Sequence, residues 1–433
     1  MYLCYDCLTI TDRFLLPLLF LLLPLLCLKR KQQRQDNTKR QRVCKDKEQQ
    51  PIRNLKISEC FLKLSKIYEQ TPCLQEDDMK ARQYHLIAGR LQNIDFDIQY
   101  DASIRQLREI PFVGASTAQM IQQILQTGRL RRLDSFRKDP TRIAMRNLLA
   151  IWGIGQATAL NLINRGFLNI DQVREGIYTG KLTDLDQRQL IGVQCYEEFL
   201  EDMNRNEVET MFEQIRTEVK KILPDCDAEI MGSYRRGKTE LGDLDVFIVS
   251  KQYMDKIPAR LLPELVNNLW RNGHIAHHLT NLPGLQTESY ANSQEGSLPK
   301  TSHSTLRSSK NLYKKSKPEK MIGCATYMGV YFSPTKSGKR RRVDIKIWPY
   351  LQKPYASLYF TGGKYFNRSM RLYAKRQFNW KLNDKGLFDL KTGERVITTV
   401  CTEKDLFEKL QLIYKAPRDR KFFDDVHPIA SSI

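Results

Sequence analysis

Two aspartates one residue apart, Asp243 and Asp245, open the apolar run Val246-Phe247-Ile248-Val249. The run is short, β-branched and aromatic, which predicts a buried strand. Side chains alternate along a strand, so both carboxylates leave the same face. Carboxylates held that close repel each other unless positive charge lies between them, a geometry for a divalent cation. Just upstream, Gly232-Ser233 predicts a turn into a helix whose backbone N–H groups suit an anion, and Arg235, Arg236 and Lys238 add positive charge. A cation-binding pair beside an anion-binding turn points to chemistry on a nucleoside triphosphate. Singly, a Gly-Ser turn or an Asp-x-Asp at a strand start is a common structural feature; their combination and order carry the reading. A third acidic residue, Asp344, lies in a second strand-like stretch, Val343 to Trp348, behind the basic run Lys339 to Arg342. Alone it reads as a solubility residue on an edge strand. Beside the first pair it completes a three-carboxylate metal site.

The chain that must position these groups has 433 residues, room for several domains. Its hydrophobic content of 41% and charged content of 27% are ordinary for globular proteins, but the net charge of +21 is not. Such an excess of Lys and Arg calls for a polyanionic partner, nucleic acid or an anionic membrane. The ten cysteines form no regular framework. Cys4 and Cys7 make a CxxC without a matching second pair, so reduced thiols rather than zinc are expected. Residues 14–28 are an apolar run broken by Pro17 and Pro24, short for a bilayer and without a signal-peptide cleavage site. An anchor stays open; an atypical start is favoured. Residues 29–56 read as a basic disordered arm, either a solvated tail or a nuclear address.

Between Ile57 and Leu91, apolar residues at helical spacing (Cys60, Phe61, Leu64, Ile67, Tyr68, then Tyr84, Ile87, Leu91) predict helices. Ile110-Pro111-Phe112-Val113-Gly114 and then Leu148 to Gly155 each lead into a further helix, which predicts two helix-hairpin-helix units. In the second, Gly153 and Gly155 let backbone N–H groups approach a DNA phosphate closely without reading sequence. Residues 183–223 continue as helices with a core stripe of Tyr196, Phe199, Leu200, Met211, Ile215, Val219 and Ile222, and 257–270 as an amphipathic helix. Residues 281–320 turn polar and read as a long loop; Ile322 to Phe332 is a strand.

GSYRRGK at 232–238, GDLDVFI at 242–248, RRVDI at 341–345 and YFTGGKYFNRSMR at 359–371 resemble the motifs of family X DNA polymerases, the lambda and fungal branch in particular. The last motif separates this family from other nucleotidyltransferases. The resemblance covers roughly residues 57–425 and implies an α+β protein. A helical N-terminal domain with two helix-hairpin-helix units precedes a nucleotidyltransferase-type palm with a mixed sheet and a small α/β thumb. The expected boundaries are an apolar segment and arm at 1–56, a lyase-like DNA-binding domain at 57–135, fingers at 136–203, palm at 204–350 and thumb at 351–433. The implied activity is that of a DNA-directed DNA polymerase in repair, filling short gaps or joining ends. A template-independent terminal transferase and a non-catalytic DNA-binding protein are the alternatives.

By the same resemblance Asp243, Asp245 and Asp344 would hold two Mg²⁺, with Mn²⁺ as a substitute. Gly232, Ser233 and Arg236 would grip the triphosphate, Tyr359 and Phe360 would face the sugar, and Asn367 the base edge. Gly362-Gly363 stands where a cis peptide is expected. Arg342 would orient Asp344 near the primer end, and Arg371 would contact the template. The carbonyls of Leu149, Ile151 and Ile154 would hold a monovalent cation. The implied partners are gapped or broken DNA and deoxynucleoside triphosphates, for a monomer in the nucleus. No membrane partner is expected, and no partner recruited through a BRCT domain, for which residues before Ile57 leave no room.

The chain departs from the family pattern in three places, beginning with the first hairpin. Met120 stands where the lyase lysine belongs, and a thioether cannot form a Schiff base, so 5′-deoxyribose phosphate lyase activity is expected to be weak or absent, although Lys80 could substitute. Ser116 replaces a basic residue, and Phe112 replaces the first hairpin glycine. Asp202 takes a place often basic in the family, which implies weaker nucleotide binding. The 281–320 insertion falls where related enzymes carry a loop that influences template dependence; an inert insert is the equal alternative.

Overall fold

The computed structural model describes residues 52–71, 77–286, 319–334, 338–396 and 400–429. The apolar run, residues 29–51 of the basic arm and most of the 281–320 insertion therefore lie outside the described residues, whereas residues 52–56, expected in the disordered arm, begin a helix because Asn54 is buried and hydrogen-bonded. The chain divides into two compact units. Residues 52–60 and 90–130 belong to the first, residues 61–89 and the chain from 131 onward to the second, so the division runs through helices α1 (Ile52–Gln70) and α2 (Asp77–Asn93).

In the first unit, the side chain of Asn54 fixes the segment after α2. It donates to the Phe96 carbonyl at 2.8 Å and accepts from the Ile98 N–H at 3.1 Å. Ser103 and Gln106 form a reciprocal cap on the short helix α3 (Ile104–Leu107). A turn ending at Gly114 then launches α4 (Ala115–Thr127), whose Ala118, Ile121 and Ile124 are buried.

The second unit begins with four helices around the second hairpin, α5 (Arg131–Lys138), α6 (Pro140–Leu149), α7 (Gln156–Asn164) and α8 (Ile170–Tyr178), followed by α9 (Gln187–Gln194) and α10 (Tyr196–Leu200). Met145, Leu148, Ile151, Leu162 and Val173 make their common core. A short strand β1 (Met203–Asn204) pairs with β3 (Glu240–Leu241) across helix α11 (Arg205–Ile222), β2 (Cys226–Ile230) and the four-residue helix α12 (Gly232–Arg235). The chain continues through β4 (Leu244–Ser250), β5 (Ile257–Pro258), α13 (Leu261–Arg271), β6 (Ile275–His278), β7 (Met321–Ile322), β8 (Ala325–Phe332) and β9 (Arg340–Ile347). The last part holds α14 (Lys353–Thr361), α15 (Lys364–Phe378), the hairpin β10 (Trp380–Leu382) and β11 (Leu387–Asp389), and α16 (Glu403–Lys409).

The central sheet runs β2-β4-β9-β8-β6. β4 and β9 are parallel and the other neighbours antiparallel, so the sheet is mixed, as the α+β expectation required. Alternation along β4 and β9 sorts their residues onto two faces. Val246, Ile248, Val343, Ile345 and Ile347 pack against Met211, Ile215 and Val219 of α11 and Leu262, Leu265 and Leu269 of α13. Phe247, Val249 and Trp348 pack on the opposite face with Met231 and Ala356. Asp245 and Asp344 belong by register to that second face, towards α14.

Three expectations are corrected. β9 starts at Arg340 rather than Val343, because its arginines find carboxylate partners instead of solvent. α13 starts at Leu261, because Ile257 is taken into a strand opposite Ile322. Leu200, expected in the core stripe, is exposed, since it ends the short helix α10 just before the chain turns into β1.

Candidate active site

The parallel pairing of β4 with β9 sets Asp245 directly opposite Asp344, and Asp243 precedes β4 by one residue. Residues far apart in the sequence are thus neighbours on one face. Burial, with Asp245 alongside, pushes the Asp243 carboxyl above its usual value, against the pull of Arg342. Burial also pushes the Asp344 carboxyl up, although Lys346 opposes it. A cluster in this condition calls for positive charge.

Two protein cations supply it. Lys346 Nζ donates to Asp245 Oδ1 at 2.6 Å and to Asp344 Oδ2 at 3.3 Å. Burial works against its charge, but Asp245 and Asp344 outweigh it and hold the ammonium above the ordinary lysine value. Arg342 Nη2 donates to the Gly242 carbonyl at 3.2 Å and to Asp243 Oδ2 at 3.4 Å. Arg342, expected to orient Asp344, is therefore the partner of Asp243, and Lys346 is the partner of Asp344. Lys346 was missed in the sequence, although its place two residues after Asp344 on one strand put it on the same face. Among the described residues, no group of three His, Cys, Asp or Glu side chains is arranged to hold an ion. The donor set still fits one. Three carboxylates share a face, and an ammonium occupies the space between two of them, where a hard cation would bind oxygen.

The anion-binding side is built on α12. Gly232 has φ +56°, and a Cβ there would stand 2.1 Å from Asp245 Oδ2. Glycine is the residue that leaves this space open. Ser233 follows at the helix start. Arg236 Nη1 donates to the Thr361 carbonyl at 2.6 Å, and burial lowers its pKa against the attraction of Asp245 and Asp243. Arg235 instead turns into the fold. It forms a paired contact with Glu403 at 2.8 and 3.0 Å, and the fully buried Arg420 meets the same carboxylate at 3.2 Å. Burial resists the Glu403 charge, but the two guanidiniums hold its carboxyl below the usual range. This network joins α12 to α16 over a sequence separation of 168 and had no signal in the sequence.

On α14 and α15, the Gly362–Gly363 peptide is cis. Tyr359 is half exposed, whereas Phe360 packs with its ring 4.9 Å from Trp348 and 5.9 Å from Phe247. Asn367 Nδ2 donates to the Tyr359 carbonyl at 2.7 Å, and its Oδ1 is buried without a hydrogen-bond partner. Arg371 lies over the Tyr359 ring at 5.8 Å. Tyr359, Asn367 and Arg371 line one surface with Asn383 and Leu382.

The two hairpins, each taken by itself, share one geometry. In the second, the Ile151 carbonyl accepts from Ile154 N–H at 3.1 Å, Gly153 has φ +85°, and Gly155 caps α7. In the first, the Ile110 carbonyl accepts from Val113 N–H at 3.1 Å and Gly114 caps α4. Phe112, in the place of Gly153, takes φ +70° and leaves its ring exposed. Leu149 ends α6 just before the second turn. Ser116 and Met120 lie on α4, Ser116 exposed and Met120 half buried. Asp202 is exposed, its Oδ1 near Gly242.

Known families match four consecutive parts of the chain. A helix-hairpin-helix domain matches residues 53–130, the fingers domain of DNA polymerase lambda 146–200, the DNA polymerase beta palm 202–350 and the DNA polymerase beta thumb 356–421. The chain is similar to DNA polymerase lambda of Rattus norvegicus, at 28% identity over 376 residues, 85% of this chain and 56% of the relative. It is also similar to the DNA-directed DNA/RNA polymerase mu of Homo sapiens, at 27% identity over 319 residues, 73% of this chain and 60% of that relative. The chain thus spans less than two thirds of either relative's length.

Proposed function

Because the chain belongs to family X of the DNA polymerases, we propose that it adds deoxynucleotides to a primer 3′-hydroxyl under template direction, in short-gap filling or end joining. The observation that carries this reading is the register of Asp245 against Asp344, with Asp243 and Gly232 beside them. Asp243, Asp245 and Asp344 would hold two Mg²⁺, with Mn²⁺ able to replace them. Bound there, the ions supply Lewis acidity to the primer oxygen and to the leaving pyrophosphate. The chain's own residues do the positioning. Gly232, Ser233 and Arg236 hold the β- and γ-phosphates. Tyr359 and Phe360 crowd the sugar and exclude a 2′-hydroxyl. Asn367, with its unpaired Oδ1, meets the minor-groove edge of the incoming base, and Arg371 the template. Arg342 holds Asp243 until substrate arrives.

The second hairpin grips the DNA backbone through Gly153 and Gly155, and the carbonyls of Leu149, Ile151 and Ile154 would hold a monovalent cation beside them. With Met120 where the nucleophilic amine belongs, the first hairpin binds DNA without lyase chemistry; borohydride reduction on an abasic substrate is expected to trap no adduct. The protein acts as a monomer in the nucleus.

The test is extension of a primer across a one-nucleotide gap with Mg²⁺. The parent chain should fill the gap and Asp245→Ala should not. Extension of a single-stranded primer without template would instead favour a terminal transferase.

A further inference from the structure

A cleft of about 210 Å³ opens between α1, α5 and α6 in the second unit, away from the carboxylates. Lys66, Arg137 and Arg146 line it, and no acidic side chain does. All three are exposed, and none has an ion-pair or hydrogen-bond partner among the described residues. Several other arginines of the chain are neutralised. Arg165, Arg174, Arg216 and Arg260 each lie within 3.1 Å of a carboxylate. Three unneutralised cations converging on one concavity repel each other and lower that cost by binding an anion.

One buried side chain cross-links the wall of the cleft. Arg142 is buried, donates to the Thr71 carbonyl at 2.7 Å and to Asp77 Oδ2 at 3.1 Å, and covers the Phe136 ring at 4.2 Å. It ties α1, α2, α5 and α6 together, so the helices that carry the cationic rim are joined through one buried side chain. It also occupies a face of the aromatic ring in the cleft. A base therefore has no free stacking platform on that side, and what the cleft offers is charge and donor hydrogens, the chemistry of phosphate rather than of base recognition.

We propose that this cleft is a second contact for the phosphate backbone of a DNA strand, independent of sequence and separate from the metal site and from the hairpin turns. The proposal rests on DNA being the substrate. Each phosphate neutralised there releases a condensed counterion, so the three side chains contribute to the salt dependence of binding.

The test is fluorescence anisotropy of the full chain on a labelled duplex with a one-nucleotide gap, in EDTA, across a KCl series. The triple variant Lys66→Gln, Arg137→Gln, Arg146→Gln should give a plot of log K against log salt shallower than the parent's by about 2 to 3. The loss should be equal for duplexes of unrelated sequence. A charge-matched control, Arg174→Gln, Arg216→Gln, Arg260→Gln, should leave the slope within about one unit of the parent's. Equal slopes for parent and triple variant, or the same change in the control, overturn the proposal. So does a triple variant that loses binding of inorganic pyrophosphate while its DNA slope is unchanged, since the cleft would then serve a free phosphate compound. Because the readout is binding, it stands apart from primer extension: a parent chain that binds as described but extends nothing would sink the polymerase reading and leave the cleft intact.

Discussion

Gly232 shows how much one missing carbon can decide. An alanine there would place its Cβ 2.1 Å from Asp245 Oδ2 and would have to keep φ near +56°. The atom in the way is the end of a side chain, so the fold can survive by moving the carboxylate. Displacing a catalytic group by about an ångström costs on the order of a hundredfold in rate. Gly232→Ala should therefore lose about that much kcat in gap filling while its melting temperature falls only slightly. Wild-type turnover in the variant would remove Asp245 from the chemistry. Asp202 makes a second prediction at this scale. It is exposed beside Gly242, and under the proposed function its negative charge there would disfavour a triphosphate. Asp202→Arg should lower the nucleotide KM with kcat little changed, and an unaltered KM would dismiss the idea.

At the scale of elements, the basic run ahead of Asp344 turns out to be an anchor. Lys339 pairs with Glu201, Arg340 with Glu198, Arg341 with Glu207 and Arg342 with Asp243. Folded, the run fastens β9, and with it Asp344, to α10, α11 and the start of β4. The Arg341–Glu207 pair is buried on both sides. Glu207→Gln leaves an uncompensated guanidinium, which should cost about 3–5 kcal/mol, read as a lowered midpoint in urea. A loss near zero would mean that water reaches the pair. The second hairpin depends on a similar closeness. Gly192 in α9 lies against the Trp152 backbone, where an added Cβ would be 2.0 Å from the carbonyl oxygen. Backbone cannot swing aside as a side chain can, so Gly192→Ala should destabilise by about 1–3 kcal/mol and weaken DNA binding together with stability. Stability unchanged from the parent would show that α9 is not seated on the turn.

At the scale of the whole chain, the second unit contains distant segments that meet. His85 of α2 stacks on Tyr365 of α15 with ring centroids 3.7 Å apart and lies 3.3 Å from the Lys421 carbonyl. Burial lowers the His85 pKa; the Lys421 carbonyl, Glu69 and Asp425 pull it back up, and Lys364 adds to the lowering. The folded state thus prefers neutral imidazole. Its contribution to stability is complete above the unfolded histidine value of about 6.5 and is lost as the pH falls below that value towards the folded one. The melting temperature should fall over this window, and His85→Gln should fall less. Parallel curves for parent and variant would rule out His85 as a source of the dependence.

Read by itself, the sequence determined what depends on local spacing. Asp243 and Asp245 share a face because strand side chains alternate, and the two hairpins follow from turn residues set before helical patterns. The motifs at 232–248, 341–345 and 359–371 were enough to place the chain in its family. Tertiary structure alone decided what depends on pairing between distant segments. The parallel register of β4 and β9 brings Asp344 opposite Asp245 and makes Lys346, not Arg342, its partner. The Glu403 carboxylate meets Arg235 and Arg420 only once α12, α16 and the chain after it have packed together. Periodicity along a chain reports which face a residue occupies. It carries no information about which other face it will meet, because that is settled by burial and charge compensation across the whole fold.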